Sequence, residues 1–176
     1  MSEREFIPVG IAVITISDTR TLAEDKSGQT LVDRIAEAGH RLSARAIVKD
    51  DVRAIRALVR KLAKDNSVDV IISTGGTGLT GRDVTVEALR PLFDKEIEGF
   101  GVLFHIMSFQ KIGTSTVQSR ATAGVVGGKY VFCLPGSPGA CRDGWDEILK
   151  PQLDYRHKPC NFIEIMPRLD ENLSRK

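Results

Sequence analysis

Thr74-Gly75-Gly76-Thr77-Gly78 is a run in which the backbone itself can do chemistry. Three glycines in five positions permit positive φ angles and close approach of the main chain to a ligand. Successive N–H groups in such a turn can form a concave nest for phosphate oxygens, and Thr74 and Thr77 add hydroxyl donors. No lysine follows, so this is not a GxxxxGK[ST] loop, and the spacing does not fit GxGxxG either. A plain tight turn is the competing structural reading. The segment continues into Arg82-Asp83-Val84-Thr85. Asp83 can cap a following helix or ligate Mg²⁺, which takes one or two carboxylates together with substrate phosphates and retained waters. Asp50 is the natural second carboxylate. Two carboxylates facing a polyphosphate repel it unless a cation lies between them. Asp50 or Asp51 can equally cap the helix that follows.

The elements around these residues must bring them together. Gly10 to Ser17 (GIAVITIS) is a continuous β-branched run, the signature of a strand buried on both faces. It ends in Ser17-Asp18-Thr19, and a loop with Asp25, Ser27 and Gly28 follows. A helix is expected from about Gln29 to Ala38, with Leu31, Ile35 and Ala38 on one face and Gly39 as its stop. A second strand reads from about Arg41 to Val48. Val52, Ile55, Leu58, Val59 and Leu62 then form a stripe of 3.6-residue period. Val68 to Ser73 is the third strand. Strands alternating with helices predict an α/β fold, a three-layer α/β/α sandwich around a mostly parallel sheet. Ligands of such sheets bind beyond the carboxyl ends of the strands, where the Ser17, Asp50 and Thr74 loops all fall.

The second half is less regular. Val84 to Phe93 and Gly99 to Phe109 are expected to be helical, and Lys129 to Leu134 a buried strand. Pro135-Gly136-Ser137-Pro138 is a sharp turn at that strand's end. A helix from about Gly139 to Leu149 follows, with Pro151 interrupting or restarting it. Ser119-Arg120, after Gly113-Thr114-Ser115, offers a guanidinium fork suited to phosphate, although a surface arginine is the blander reading. With no repeat or long linker, residues 1–176 read as one domain, with a loose tail after about residue 163 that ends in Arg175 and Lys176.

Composition narrows the partners. The chain has 25 basic and 23 acidic residues, a formal charge of +2. That excess, with its charges interspersed, predicts neither a nucleic-acid nor a membrane partner. No apolar stretch approaches the ~20 residues needed to span a bilayer. Cys133, Cys141 and Cys160 are spaced too irregularly for a zinc site or a redox pair. An odd number of cysteines without a signal peptide predicts the cytoplasm, and Cys133, in its apolar run, a buried structural thiol.

Taken together, the loops resemble the MoaB/MogA family of molybdenum-cofactor biosynthesis proteins over nearly the whole chain. The residues that carry the resemblance are Thr74 to Gly78 with Arg82-Asp83-Val84-Thr85, Glu98-Gly99-Phe100-Gly101, Gly113-Thr114-Ser115-Thr116 with Ser119-Arg120, and Leu134 to Pro138. The Gly113-to-Arg120 segment and Cys160-Asn161-Phe162 look most like the MoaB branch. The resemblance implies the α/β/α fold, a homotrimer or homohexamer, and contact with other enzymes of the pathway. It implies binding of molybdopterin and its adenylylation with Mg·ATP, giving adenylyl-molybdopterin and pyrophosphate. Asp83 and Asp50 fall where the family has catalytic aspartates. Ser17, Ser27 and Ser137 are expected on the pterin and phosphate side. The same resemblance admits a carrier or scaffold that holds the pterin without chemistry. Two departures stand out: Val86 where the family often has proline, and Gly139 where a lysine often follows the Pro-Gly-x-Pro turn.

Overall fold

The computed structural model describes residues 4–172; the expectation for Arg175 and Lys176 lies outside them. The strands are β1 (Gly10–Ile16), β2 (Arg41–Val48), β3 (Val70–Thr74), β4 (Lys95–Glu96), β5 (Thr122–Val126) and β6 (Lys129–Leu134). The main helices are α1 (Lys26–Glu37), α2 (Val52–Ala63), α3 (Thr85–Leu89), α4 (Glu98–Ile112) and α5 (Pro138–Gly144). The strands lie in the order β2-β1-β3-β6-β5-β4. β1 pairs in parallel with β2 and β3, and β3 with β6, while β5 and β4 close the far edge antiparallel. The sheet is thus mostly parallel, as the alternation of strands and helices predicts.

The side-chain alternation of a strand divides the core into two layers. Ile11 and Val13 of β1 pack with Leu31 and Ile35 of α1, Phe100 and Phe104 of α4, and Cys141 and Trp145. Ala12, Ile14 and Ile16 face the other way, onto Ile55, Val59 and Leu62 of α2 and Ala88 and Leu89 of α3. Every residue of β1 is buried, which is why its sequence is apolar without a break. The α1 connection carries the chain from β1 out to β2, and the α2 connection carries it back past β1 to β3, so the winding reverses between β1 and β3. A crevice opens at the carboxyl ends of those two strands.

Several boundaries differ from the sequence expectation. α1 starts at Lys26, before the expected Gln29, because Asp25 caps it by accepting from the Gly28 amide. The expected Val84–Phe93 helix is α3 followed by a 3₁₀ turn, Arg90–Leu92, since Pro91 has no N–H to continue an α-helix. α5 runs on through a π turn, Trp145–Leu149, into Lys150–Gln152, so the irregularity falls just before Pro151. β5 escapes the sequence reading because Thr122-Ala123-Gly124 offers little apolar bulk. Gly124 lies against the Phe93 ring, where a Cβ would collide with it. The loose tail expected after residue 163 does not describe the residues that follow directly. Phe162–Ile165 forms a helical turn, Ile163 is buried, and Met166 and Leu169 pack against the core.

One buried carboxylate ties the first three elements together. The Asp25 side chain is fully buried. It accepts from the Thr15 hydroxyl of β1 at 2.7 Å, from the Gly28 amide at 2.9 Å and from Arg45 of β2 at 3.3 Å. Burial alone pushes the carboxyl upward, but these donors outweigh it and hold it below the ordinary 3.8. Its contribution to stability is therefore complete above that value and lost as pH falls through the lowered one. Asp25→Ala, which strands these donors and the Ser27 hydroxyl, is expected to lower unfolding free energy by about 2–4 kcal/mol at pH 7. Urea titrations of both proteins should show the difference shrinking on acidification below about pH 4.

Candidate functional site

A cleft of about 740 Å³ lies across the carboxyl ends of β1, β3 and β6. Its shape is set by Gly75. This residue has φ of +100°, and a Cβ here would run into the Ile16 carbonyl at the end of β1. Its amide donates to the Leu134 carbonyl of β6 at 3.0 Å. The turn is thus fastened between two neighbouring strand ends. Gly76 follows with φ of +66°, and a Cβ on it would meet the Thr85 hydroxyl and lie 3.0 Å from the Asp50 carboxylate. A Cβ on Gly78 would lie 2.8 Å from Asp83 Oδ2. Two carboxylates therefore rest against alternate residues of one loop, which only glycine permits. Among the described residues, the amides of Gly76, Thr77 and Gly78 donate to no protein acceptor, so they are free to meet an anion.

The two carboxylates differ in how they are held. Asp83 does not cap α3: Val84 occupies that position and makes no side-chain cap bond. Asp83 Oδ2 instead accepts from the amide and hydroxyl of Thr80, at 3.0 and 2.7 Å. Capping of α2 falls to Asp51, which accepts from the Ala54 amide at 2.7 Å. Asp50 is thereby left free to face the cleft. Burial first, and the neighbouring Asp83 charge second, push the Asp50 carboxyl above its ordinary value. Among the described residues, neither carboxylate has a cationic partner. Asp50 and Asp83 with open oxygens fit a hard divalent cation that completes its shell with phosphate and water. The described residues contain no cluster of three or more His, Cys, Asp or Glu that could hold a metal without such help.

Of the residues anticipated from sequence, Ser17, Asp50, Arg82 and Asp83 line the cleft. So do Gly75, Gly76, Thr77 and Gly78, the serines Ser115 and Ser119, and Pro135, Gly136 and Ser137. The Ser119 hydroxyl is buried and lacks a partner among the described residues. The others have structural duties. Thr74 is fully buried; its hydroxyl donates to the Pro135 carbonyl at 3.0 Å and accepts from the Cys141 thiol, so it is not a ligand donor. Thr85 donates to the Gly75 carbonyl at 2.8 Å. Ser27 and Gly28 are buried at the start of α1 and engaged with Asp25. Asp18 pairs with Arg82 and accepts from the Asp50 amide. Pro138 opens α5 behind the Ser137 cap.

Arg120 is the clearest departure from its sequence reading as a phosphate fork. Its guanidinium donates to the carbonyls of Thr77, Gly78 and Asp83 and pairs with Glu87. It braces the glycine loop from behind. Sequence reasoning missed Ile16, Thr19, Arg20 and Gln118, which also line the cleft. Arg20 lies two residues after Asp18, so its place beside a strand-end loop was the available signal. Cys133 is buried and its thiol is pushed up to about 12 by burial, as befits the structural thiol expected.

Sequence, winding and cleft define a doubly wound α/β protein whose switch-point crevice presents unpaired amides beside two uncompensated carboxylates. Residues 12–155 match the model of a probable molybdopterin binding domain. The chain is 52% identical over 158 residues to molybdenum cofactor biosynthesis protein B of Escherichia coli (strain K12), covering 90% of this chain and 93% of that protein. Its counterpart in Bacillus cereus is 47% identical over 144 residues, 81% of this chain and 85% of the relative. Among solved structures, a molybdenum cofactor biosynthesis protein B superposes with a TM-score of 0.84 at 41% identity, covering 97% of this chain and 99% of that one. The tungsten cofactor synthesizing protein MoaB from Pyrococcus furiosus follows at 0.73 and 37%, covering 81% and 91%. The chain belongs to this family of molybdenum cofactor biosynthesis proteins.

The raised Asp50 has a consequence for stability. A carboxyl whose folded value lies above its unfolded value destabilises the fold once ionised, fully above the folded value and not at all below the unfolded one. Asp50→Asn is therefore expected to raise the melting temperature at pH 7. The gain should disappear as pH falls below about 4, and thermal scans between pH 3.5 and 7.5 would check it.

Proposed function

We propose that this protein binds molybdopterin in the switch-point cleft and transfers an adenylyl group to it from ATP. The observation that carries the reading is the pair of uncompensated carboxylates, Asp50 and Asp83, held against a glycine loop with free amides. A pure anion-binding site gains nothing from two carboxylates, whereas a phosphate-transfer site with a divalent cation requires such ligands. Mg²⁺ held by Asp50 and Asp83 would neutralise charge on the phosphate oxygens.

The remaining work falls to the chain. A phosphate monoester is largely dianionic at pH 7, its second pKa being about 6, so the attacking oxygen needs no general base. That oxygen forms a bond to the α-phosphorus of ATP as the bond from that phosphorus to the β-phosphate bridging oxygen breaks, and pyrophosphate leaves. No proton moves in this step. The protein has to align the two phosphates and offset their repulsion. The amides of Gly76, Thr77 and Gly78 supply donors that are already fixed in place. Arg120 holds the carbonyls on the far side of the loop, so those amides keep their direction. Ser17 and Ser137 stand around the same space. The setting is cytoplasmic, in keeping with three free cysteines.

Self-association belongs to the same reading. α4 is apolar almost all round: Phe100 and Phe104 are buried, while Val102, Leu103, Ile106, Phe109 and Ile112 are exposed. An apolar stripe of that kind suits burial in a homotrimer or homohexamer. Among the described residues no helix is long and apolar enough to cross a membrane. Phe109→Glu is expected to shift sedimentation toward the monomer; unchanged sedimentation would remove α4 from the interface.

The activity is tested by incubating the protein with molybdopterin and Mg·ATP. Adenylylated pterin and stoichiometric pyrophosphate are expected. Asp83→Asn should retain pterin binding and lose at least about 100-fold in pyrophosphate release. Binding of molybdopterin without pyrophosphate release by the unaltered protein would leave a carrier in place of the enzyme.

A further inference from the structure

Three arginines stand at or behind the cleft, and their charges are disposed of differently. Arg82 is paired with Asp18. Arg120 is paired with Glu87 and turned into the back of the glycine loop. Arg20 lines the cleft and, among the described residues, has no carboxylate partner. Its Nη1 donates to the Ser27 hydroxyl at 3.1 Å and to the Gly136 carbonyl at 3.4 Å. Its Nε and Nη2 make no bond within the described chain. One edge of the fork is thus anchored to the protein while the other stays open.

The anchor fixes where the open edge lies. Ser27 is fully buried and bound to Asp25. The Gly136 carbonyl belongs to the turn that ends β6. Arg20 thereby spans the loops after β1 and β6, whereas the Asp50 and Asp83 carboxylates rest against Gly76 and Gly78. The cleft therefore holds two carboxylates without a cationic partner, suited to a cation, and one guanidinium edge without a carboxylate partner, suited to an anion.

We propose that Arg20 is the substrate-phosphate anchor of the cleft. Its free Nε and Nη2 edge takes two oxygens of one phosphate group, a geometry that a guanidinium matches and an ammonium does not. The proposal deepens the functional reading above and rests on it. The phosphate can be the terminal monoester of the pterin or part of the ATP triphosphate. Both present the same pair of oxygens.

Equilibrium binding separates the sources. Molybdopterin is titrated into the protein without nucleotide, and Mg·ATP is titrated without pterin, for wild type, Arg20→Gln and Arg20→Lys. Arg20→Gln keeps a neutral donor for Ser27 and Gly136 but removes the charge and the fork. It is expected to weaken one of the two ligands by about 10- to 100-fold, with Arg20→Lys falling between it and wild type. Urea midpoints within error of wild type would show that the turn is intact. If Arg20→Gln does not fold, Arg20→Lys carries the test, with a loss of at least about threefold expected from the missing fork. Weakening confined to molybdopterin assigns Arg20 to the pterin monoester. Weakening confined to Mg·ATP assigns it to the triphosphate. Affinities for both ligands equal to wild type in the folded variants overturn the proposal while leaving the functional reading standing. A wild-type protein that binds neither ligand overturns the functional reading and this proposal with it.

Discussion

The contact between Gly75 and the Ile16 carbonyl is the constraint on which the site depends. Two adjacent parallel strands, β1 and β3, end at the same level, and the chain leaving β3 has to cross the end of β1 at van der Waals distance. No side chain fits there, and the positive φ of Gly75 and Gly76 turns the chain along that path. The amides of the following residues then face the crevice rather than a neighbouring strand. Gly76 and Gly78 leave room for the carboxylates of Asp50 and Asp83 to settle against the same loop. A Cβ at any of these positions would push a strand end, a carboxylate or both out of place.

Electrostatics gives this geometry a direction. Asp25 shows how the fold treats a carboxylate that it intends to satisfy: donors from a strand, a helix start and a second strand surround it. Asp50 is treated in the opposite way. Its own backbone amide goes to Asp18, the capping duty goes to Asp51, and the Arg82 and Arg120 guanidinium groups are paired with Asp18 and Glu87. Burial and the Asp83 charge then leave Asp50 with a raised affinity for a proton, and by the same physics for any cation. A fold that surrounds one carboxylate with donors and leaves two others without a cationic partner beside unpaired loop amides has the charge arrangement that the proposed transfer would use.

Arg120 illustrates how the same residue type can serve the site without touching its ligand. Its bonds to the carbonyls of Thr77, Gly78 and Asp83 pin both ends of the loop that carries Asp83. The backbone N–H at Arg120 also donates to the Thr77 carbonyl at 3.1 Å. The Gly113–Gln118 turn is drawn against the glycine loop in this way, bringing Ser115 and Ser119 to the cleft. A segment that follows the apolar α4 thereby becomes a wall of the site.

The sequence by itself determined the strands that are buried on both faces, the stripes of α1 and α2, and the glycine turn that lines the cleft. Those features are local: β-branched runs, a 3.6-residue period and clustered glycines each act over a few residues. It also held a signal that went unread. Gly127-Gly128, between Val126 and Lys129, is a two-residue hairpin turn with both φ angles positive, and it announces the antiparallel β5–β6 pair. The division of labour among similar residues was decided only by the tertiary structure. Asp50 and Asp51 are neighbours in sequence, yet one faces the cleft and the other caps a helix. Arg20, Arg82 and Arg120 are chemically alike, yet Asp18 and Glu87 take two of them and leave the third exposed to the ligand space. Thr74 reads as a donor, but β6 and Cys141 take its hydroxyl. Which polar group is left unsatisfied depends on partners brought from other strands and loops, and a local pattern carries no record of those meetings.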